Sequence, residues 1–279
     1  MRLTLLGVRG STAASGAEFV RYGGHTSCVA VTAEGATAPT LVLDAGTGVR
    51  LLTGLLGGAA FDGSIVVSHL HWDHVQGLPF FSGGDRPDAR VDLYLPAQGG
   101  RSGRDLLAAT MSPPSFPITP EGLQGEWRFH ALDDGTHDIE GFQVRAVDVR
   151  HKGGRTFGYR VSDAHGSVAY LPDHLVSGGV DDGVRAMLAG VDVLLHDAQF
   201  VESERAMSDA YGHSTVDDAV SVAVACGVRT LVLFHHGPAR TDDALDAIVA
   251  ALDAPLPVLA ARQGDEVEVG LSTATRSVT

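Results

Sequence analysis

The six residues from His69 to His74 place the tightest constraint on this chain. They read His-Leu-His-Trp-Asp-His and directly follow the apolar run 64–68. Such a β-branched run predicts a buried strand, and Gly77 and Pro79 leave room for only a short helical turn after it. Imidazole and carboxylate are the usual protein ligands of zinc, and manganese and iron accept the same set. A chance cluster in a chain with 13 His is the alternative, but core packing does not explain so many ligand-type side chains together.

Length and charge limit the function classes that fit the chain. Its 279 residues suit one α/β domain, and its net charge of −14 leaves no basic surface for extended nucleic acid. A small anion is still compatible, because bound divalent cations would invert the local field. The N-terminal apolar run 3–8 is too short for a signal sequence or a membrane span, so a cytoplasmic location away from membranes is expected. Cys28 and Cys226 lie in apolar segments and are expected to be buried thiols.

The order of the predicted strands and helices indicates two sheets with helices outside them. The first predicted strands are joined by short turns, as antiparallel strands are, and alternating strands and helices follow them. This order is typical of a layered α/β protein. No repeat, tail or linker divides residues 1–279, so a single domain is expected. Strands are predicted over 2–8, 27–33, 40–44, 64–68, 91–95, 142–149, 156–161, 167–171, 191–195 and 230–234. Helices are predicted before Gly57, over 102–110, from Ser214 as N-cap to Gly227, and from Thr241 to before Pro255.

Ligand-type residues also follow three of the later predicted strands. His151 follows 142–149, Asp173 follows 167–171, and His235 and His236 follow 230–234. Loops at one edge of layered sheets gather into one site, so these side chains are expected to lie together, although each alone is more often structural. The expected ligands are His69, His71 and His151 for one metal, and Asp73, His74 and His235 for another, with Asp173 between them.

The chain resembles the metallo-β-lactamase fold hydrolases, whose signature is His-x-His-x-Asp-His. These proteins carry a later His, a bridging Asp and a terminal His in the same order, and the resemblance runs from Leu6 to about Arg240. It implies an α/β fold, a four-layer αββα sandwich, with two divalent metal ions at one edge. Zinc is the expected metal, with manganese or iron as alternatives. It also implies that Asp44 orients the ligand loop and that His235 rather than His236 binds metal.

Two further stretches resemble the phosphodiester-hydrolysing branch, typified by tRNA 3′-processing endonucleases. Residues 196–200 resemble its His-Glu-Ala-Thr motif, and residues 212–215 resemble its His-Ser-Thr motif. The resemblance implies that Asp197 positions His213, which protonates the departing oxygen, and it makes Asp73, Asp197 and His213 the expected catalytic residues. An exposed position before a helix is the alternative for His213.

The spacing of the ligands narrows the expected substrate. The tRNA-processing members carry a long arm between the positions that match His151 and Asp173, whereas 21 residues lie between them here. The chain more closely resembles small-substrate members such as phosphoribosyl cyclic phosphodiesterase and cyclic nucleotide phosphodiesterases, which residues 7–11 also resemble. His25 stands where these relatives lead us to expect Asn.

The expected function is therefore a dinuclear phosphodiesterase for a small substrate, a cyclic nucleotide or cyclic phosphate. A hydroxide held between the metals would attack the phosphorus, and His213 would protonate the leaving group. A hydrolase of thioesters, esters or lactones, an RNA-processing nuclease and a non-catalytic metal-binding sensor are the alternatives. The relatives are often dimers, so a homodimer is expected from the resemblance.

A few other residues carry two interpretations each. Arg155 and Arg160 are candidates for contacting a second anionic group of the substrate, with surface salt bridges as the alternative. The Pro-rich loop 111–126 is long enough to cover a site through Met111 and Phe116, with packing on the core as the alternative.

Overall fold

The computed structural model describes residues 1–270, which form two seven-stranded sheets packed face to face. Strands are numbered along the chain, and their order within each sheet differs from that numbering. The first sheet contains, from edge to edge, β14 (Glu266–Glu268), β1 (Arg2–Gly7), β2 (Cys28–Thr32), β3 (Leu41–Leu43), β4 (Asp62–Val66), β5 (Arg90–Pro96) and β6 (Glu126–Leu132). The second contains β13 (Val258–Ala260), β12 (Thr230–Phe234), β11 (Val193–Asp197), β10 (Ser167–Leu171), β9 (Phe157–Ser162), β8 (Phe142–Asp148) and β7 (Gly135–Ile139).

Each sheet combines a run of parallel strands with a run of antiparallel ones. Strands β3 to β6 are parallel neighbours in the first sheet, and β10 to β13 are parallel neighbours in the second. The remaining pairs, such as β1 with β2 and β8 with β9, are antiparallel. Parallel neighbours end at the same side of a sheet, so the loops after them collect there.

The core between the sheets is apolar and fully buried. Alternate side chains of each strand point inward, so Leu3 and Val31 of the first sheet meet Tyr159 and Leu195 of the second. The helices pack on the outer faces and bury two further apolar clusters. The α-helices are α1 (Leu52–Leu55), α2 (Trp72–Val75), α3 (Gly103–Ala108), α4 (Asp182–Leu188), α5 (Arg205–Tyr211), α6 (Val216–Ala225) and α7 (Asp242–Ala251). The expected αββα sandwich is confirmed.

All ten predicted strands are present with ends shifted by two residues or fewer, and the four strands that the sequence did not predict are β6, β7, β13 and β14. These four are the edge strands of the two sheets. Strands β13 and β14 have three residues each, and β7 reads Gly-Thr-His-Asp-Ile with four of five side chains at least partly exposed. Short, polar edge strands protect a sheet from further pairing and lack the apolar pattern on which the prediction depends.

The helix predictions need three corrections. The segment before Gly57 begins as a 3-10 turn, Thr47–Leu51, and becomes α-helical only at α1. The N-cap of α6 is Thr215 and not Ser214, because Thr215 Oγ1 accepts the backbone N–H of Asp218 at 3.2 Å. Ser214 donates its hydroxyl to the carbonyl of His174 instead. Helices α4 and α5 were not predicted.

Two other predictions concern buried residues. Met111 is buried and Phe116 packs beside it in the cluster outside the first sheet, so loop 111–126 packs on the core. Cys28 and Cys226 are buried free thiols, as expected. Within residues 1–270 no helix combines the length and apolarity needed to cross a membrane.

The inter-sheet core predicts a large effect for Leu3→Ala, since Leu3 is fully buried between the sheets. We expect a loss of about 2–5 kcal/mol in the free energy of unfolding, measured by urea denaturation. The matched variant Leu55→Ala removes a side chain that is 41% exposed and should cost less than about 0.5 kcal/mol. Equal losses in the two variants would contradict the inter-sheet packing of Leu3.

Candidate active site

Asp44 fixes the loop that carries the first ligands. It follows β3, is fully buried and has a left-handed φ of 60°. Its Oδ1 accepts the backbone N–H of Ser68 at 2.6 Å, and its Oδ2 accepts the hydroxyl of Tyr170 at 2.8 Å. Its Oδ2 also lies 2.7 Å from Nδ1 of His74. Because Nδ1 donates to this carboxylate, Nε2 is the ring nitrogen of His74 that faces the cluster and could bind a cation.

Residues that follow four strands, β4, β8, β10 and β12, form two ligand clusters joined by Asp173. One cluster comprises His69, His71, His151 and Asp173, and the other comprises Asp73, His74 and His235. In each cluster the possible ligand atoms lie within 4.8 Å of one another. Asp173 Oδ2 lies 3.0 Å from His69 Nε2 and 3.4 Å from both His74 Nε2 and His151 Nε2. Its Oδ1 lies 2.9 Å from His235 Nε2, so Asp173 stands between the clusters, as expected for a bridging ligand.

The chemistry of these atoms fits divalent cations. Nε2 of His69, Nε2 of His74 and Oδ1 of Asp173 are buried without a hydrogen-bond partner among the described residues. Leaving such atoms unpaired costs free energy, which coordination of a cation would recover. Burial, aided by the neighbouring His74, lowers the pKa of His69 to about 3, so the ring is neutral at pH 7 as a ligand must be.

The other imidazoles respond to the carboxylates around them. Burial disfavours the charged form of His235, but the carboxylates of Asp173 and Asp73 outweigh it and raise the pKa to about 10. Burial likewise opposes ionisation of Asp173, yet the surrounding imidazoles hold its pKa well below the usual range. In the metal-free protein a proton on His235 therefore balances the buried carboxylates, and a bound cation would replace it.

His151 is oriented from outside the cluster. Its Nδ1 lies 2.7 Å from the carbonyl oxygen of Gly212, to which it donates. Its Nε2 faces the cluster and lies 3.2 Å from His71 Nδ1. Two ring nitrogens that face each other at this distance suit a shared cation.

The two histidines after β12 have different surroundings. His235 Nε2 lies 3.1 Å from Asp73 Oδ2 and 2.9 Å from Asp173 Oδ1. His236 Nε2 donates to the carbonyl of Ala261 at 2.9 Å, and the ring is fully buried beside Tyr22. The structure therefore brings His235 into the site and gives His236 a place in the core.

Asp197 and His213 form the expected pair, although Asp197 is one methylene shorter than Glu. Asp197 Oδ2 lies 2.9 Å from His213 Nδ1 and accepts the backbone N–H groups of His174 and Ser214 at 3.2 Å each. A β-bridge between Phe200 and Thr215 draws the two loops together. Burial opposes protonation of His213, but Asp197 and Asp173 outweigh it and raise the pKa. His213, Asp173 and His235 also form a third group with ligand atoms within 4.8 Å of one another.

Two contacts at the site were not predicted from the sequence. The backbone N–H of Ser11 donates to Asp73 Oδ2 at 2.7 Å. The fully buried guanidinium of Arg9 donates to the carbonyls of Gly23 at 2.7 Å and Arg240 at 2.6 Å, which holds loop 237–240 beside the site. The resemblance of residues 7–11 to small-substrate relatives was the available signal, but it did not indicate these roles.

Arg155 and Arg160 have structural partners. Arg155 donates to Asp148 at 2.8 Å and to Asp133 at 2.9 Å, which confirms the salt-bridge alternative. Arg160 instead donates to backbone carbonyls at the end of α4, including that of Met187 at 3.1 Å. His25 Nδ1 contacts Thr47 Oγ1 at 3.1 Å, so it supplies a polar contact.

A cavity of about 780 Å³ opens beside the clusters. Three imidazoles, the end of α5 and loop 237–240 line it. Its lining includes His71, His151, His213, Met207, Tyr211 and Lys152.

The family of the chain follows from a match over most of the fold. Residues 41–236, which include Asp44 and all seven expected ligands, match the model of a β-lactamase superfamily domain. The chain belongs to this superfamily. With this membership and both ligand clusters in place, the protein is a metal-dependent hydrolase.

Other superfamily proteins are similar to this chain in sequence or fold. Ribonuclease Z of Nocardia farcinica is 28% identical over an alignment of 252 residues, and the match covers 70% of this chain and 77% of that protein. The metallo-β-lactamase fold protein YhfI of Bacillus subtilis has a TM-score of 0.73 at 16% identity and covers 96% of this chain and 99% of its own. A diphosphatase of the PhnP family has a TM-score of 0.70 at 23% identity, covering 97% and 99%. At these identities the two structures show the shared fold alone.

The contacts of Asp44 predict that Asp44→Asn weakens metal binding. The Asn side chain has one acceptor oxygen where Asp44 has two. It can therefore no longer accept hydrogen bonds from both His74 and Ser68, and one of these residues loses its fixed orientation. We expect the zinc affinity, measured by competition with a chromogenic chelator, to fall about 10–100-fold. Asp92→Asn is the matched control, because Asp92 is also buried but pairs with Arg90 and His130. The same loss in both variants would count against the role of Asp44.

Proposed function

We propose that this superfamily member is a phosphodiesterase that hydrolyses a small phosphodiester, a cyclic nucleotide or cyclic phosphate, with two divalent cations. The observation that carries the proposal is the imidazole of His213, held by Asp197 at 2.9 Å beside the two clusters. A phosphodiester with an alkoxide leaving group needs a proton donor at the departing oxygen, whereas a thioester, whose thiolate leaves readily, needs none. His213 lines one cavity with His71 and His151 and a second cavity with Asp73 and Asp173.

We assign the ligands from the clusters, and we take zinc as the metal, with manganese or iron as alternatives. When bound, the two cations would lower the pKa of a water molecule and neutralise the phosphoryl oxygens. His69, His71 and His151 would hold one cation, Asp73, His74 and His235 the other, and Asp173 both.

The chain's own residues supply orientation and a proton. Nδ1–H of His213 donates to Asp197, so the proton on Nε2 is the one available to the leaving oxygen. The raised pKa of His213 favours this protonated form. Asp73 is both ligand and catalytic residue in this scheme, and the N–H of Ser11 fixes its Oδ2.

Two features support a small substrate over structured RNA. The 21 residues between His151 and Asp173 are occupied mainly by the β9–β10 hairpin, whose strands are joined by residues 163–166. The net charge of −14 also opposes a long phosphate backbone. The ribonuclease Z of Nocardia farcinica makes RNA the competing substrate. The homodimer and the cytoplasmic location stay predictions from the sequence.

Hydrolysis of bis-p-nitrophenyl phosphate tests the reaction class. Zinc-loaded protein should release nitrophenolate, and removal of the metal with a chelator should abolish the release because the clusters then lack their cations. Restoring zinc or manganese should restore it, as followed by absorbance.

Three results would contradict the proposal. Intact metal content without turnover would favour a sensor. Faster turnover of an acyl-thioester panel would favour a carbon-centred hydrolase. Cleavage of a tRNA precursor with much higher kcat/KM than any cyclic nucleotide would favour a nuclease.

The proton-donor role predicts that His213→Ala depends on the leaving group. For a diester with an alkoxide leaving group we expect kcat to fall about 10²–10⁴-fold. For a nitrophenyl diester the loss should be much smaller, since nitrophenolate leaves without protonation. Rates for the two substrates measured side by side provide the comparison.

Metal content separates this role from ligation. If His213 donates a proton, His213→Ala keeps the same zinc stoichiometry; loss of zinc together with equal rate losses on both substrates would make it a ligand instead. His165→Ala is the control, because His165 is exposed in the β9–β10 turn.

A further inference from the structure

The wall of the cavity includes two large apolar side chains that remain open to solvent. Met207 and Tyr211 are 52% and 58% exposed and both line the cavity. They are four residues apart on α5, so they lie on the same face of this helix. Exposed apolar side chains grouped in a concave site mark a surface that a ligand covers.

The position of this wall is fixed relative to the metal clusters. Helix α5 ends at Gly212, whose φ of 83° and left-handed conformation suit glycine. The carbonyl of Gly212 accepts Nδ1–H of His151, and a Cβ at Gly212 would lie 2.9 Å from the backbone nitrogen of Lys152. Tyr211 is therefore held next to the loop that carries His151, one of the proposed metal ligands.

The same wall carries a positive charge without an acidic partner. Lys152 is the single Lys of the sequence, which has 19 Arg. Its Nζ donates to the carbonyl of Ala210 at 2.9 Å and lies 6.0 Å from the centre of the Tyr211 ring. Within residues 1–270 it takes part in no ion pair, whereas Arg240 across the cavity is neutralised by Glu204 at 2.5 Å. Although the chain as a whole is acidic, this ammonium group creates a local positive potential that attracts an anion.

We propose that Lys152, Met207 and Tyr211 form a subsite for a nucleoside phosphate. The base packs against the face formed by Tyr211 and Met207, through ring stacking and sulfur–aromatic contact, and the ammonium of Lys152 pairs with phosphate oxygens. The cavity volume of about 780 Å³ far exceeds what a phosphate alone fills. This inference rests on the proposed phosphodiesterase function, and it selects a cyclic nucleotide over a cyclic phosphate without a base.

Chemical protection tests the subsite without turnover. Acetylation of the zinc-loaded protein with an N-hydroxysuccinimide ester can modify one side-chain amine, Lys152, and its rate is read by peptide mass spectrometry. Adenosine monophosphate should protect Lys152 at about tenfold lower concentration than ribose 5-phosphate, since only the former carries a base. Tyr211→Ala should remove this difference. Equal protection by the two ligands, or a difference that persists in Tyr211→Ala, would overturn the subsite.

Kinetics give a second test with matched variants. Tyr211→Ala should raise KM for adenosine 2′,3′-cyclic phosphate about tenfold and leave KM for glycerol 1,2-cyclic phosphate unchanged. Tyr211→Phe, which keeps the ring, should behave as the unmodified protein. Val224→Ala is the control, because Val224 is 49% exposed on α6 and does not line the cavity. An equal change for both substrates in Tyr211→Ala would overturn the proposal.

The two proposals fail in distinguishable ways. If the zinc-loaded protein hydrolyses neither cyclic phosphate, the phosphodiesterase function is wrong, and the protection experiment still decides whether a nucleoside phosphate binds. If it hydrolyses both with the same response to Tyr211→Ala, the function stands and the subsite is wrong.

Discussion

The organisation of the molecule depends on one buried carboxylate, Asp173, packed among imidazoles. Four imidazole nitrogens lie within 3.4 Å of its oxygens, and its side chain is 1% exposed. A carboxylate without a countercharge is costly at such a position, so the surrounding rings must be brought there accurately. The parallel strands provide this accuracy, because His69 follows β4, Asp173 follows β10 and His235 follows β12. The two sheets thus hold a carboxylate and several imidazoles together in one small volume.

The sequence predicted the interior of both sheets but not their borders. Interior strands are buried on two faces, so they stand out as runs of apolar residues, and β10 (Ser167–Leu171) was predicted to the residue. Edge strands such as β7 have polar residues and few buried faces, so they look like loops until a neighbouring strand pairs with them. Helix α5 was missed because its seven residues span too few turns to show a helical period of apolar residues, and only Ser208 among them is buried.

The candidate site divides in the same way. The residues of the two clusters could be predicted because each group follows a recognisable strand, and His235 could be preferred to His236 because it comes first after the buried run. The amide of Ser11 and the guanidinium of Arg9 act through contacts with residues 62 and 231 positions away. Such long-range contacts leave no local pattern in the sequence. A backbone N–H can be donated by almost any residue type, so the residue at position 11 does not indicate the contact. The same holds for Lys152, whose neighbours become visible only in three dimensions.

In the proposed function, the segment 205–215 contributes both to substrate preference and to acid catalysis. It begins with the helix whose apolar face borders the cavity and ends with the imidazole that Asp197 holds. The expected metal ligands, by contrast, directly follow central strands, whose replacement would disrupt both sheets. Substrate preference and acid catalysis could therefore change together, by exchange of a single connection, while the hydrolytic centre stayed constant. In the proposed function this segment would adapt the site to a substrate, and it meets the cation-binding clusters at the carbonyl of Gly212, which His151 contacts.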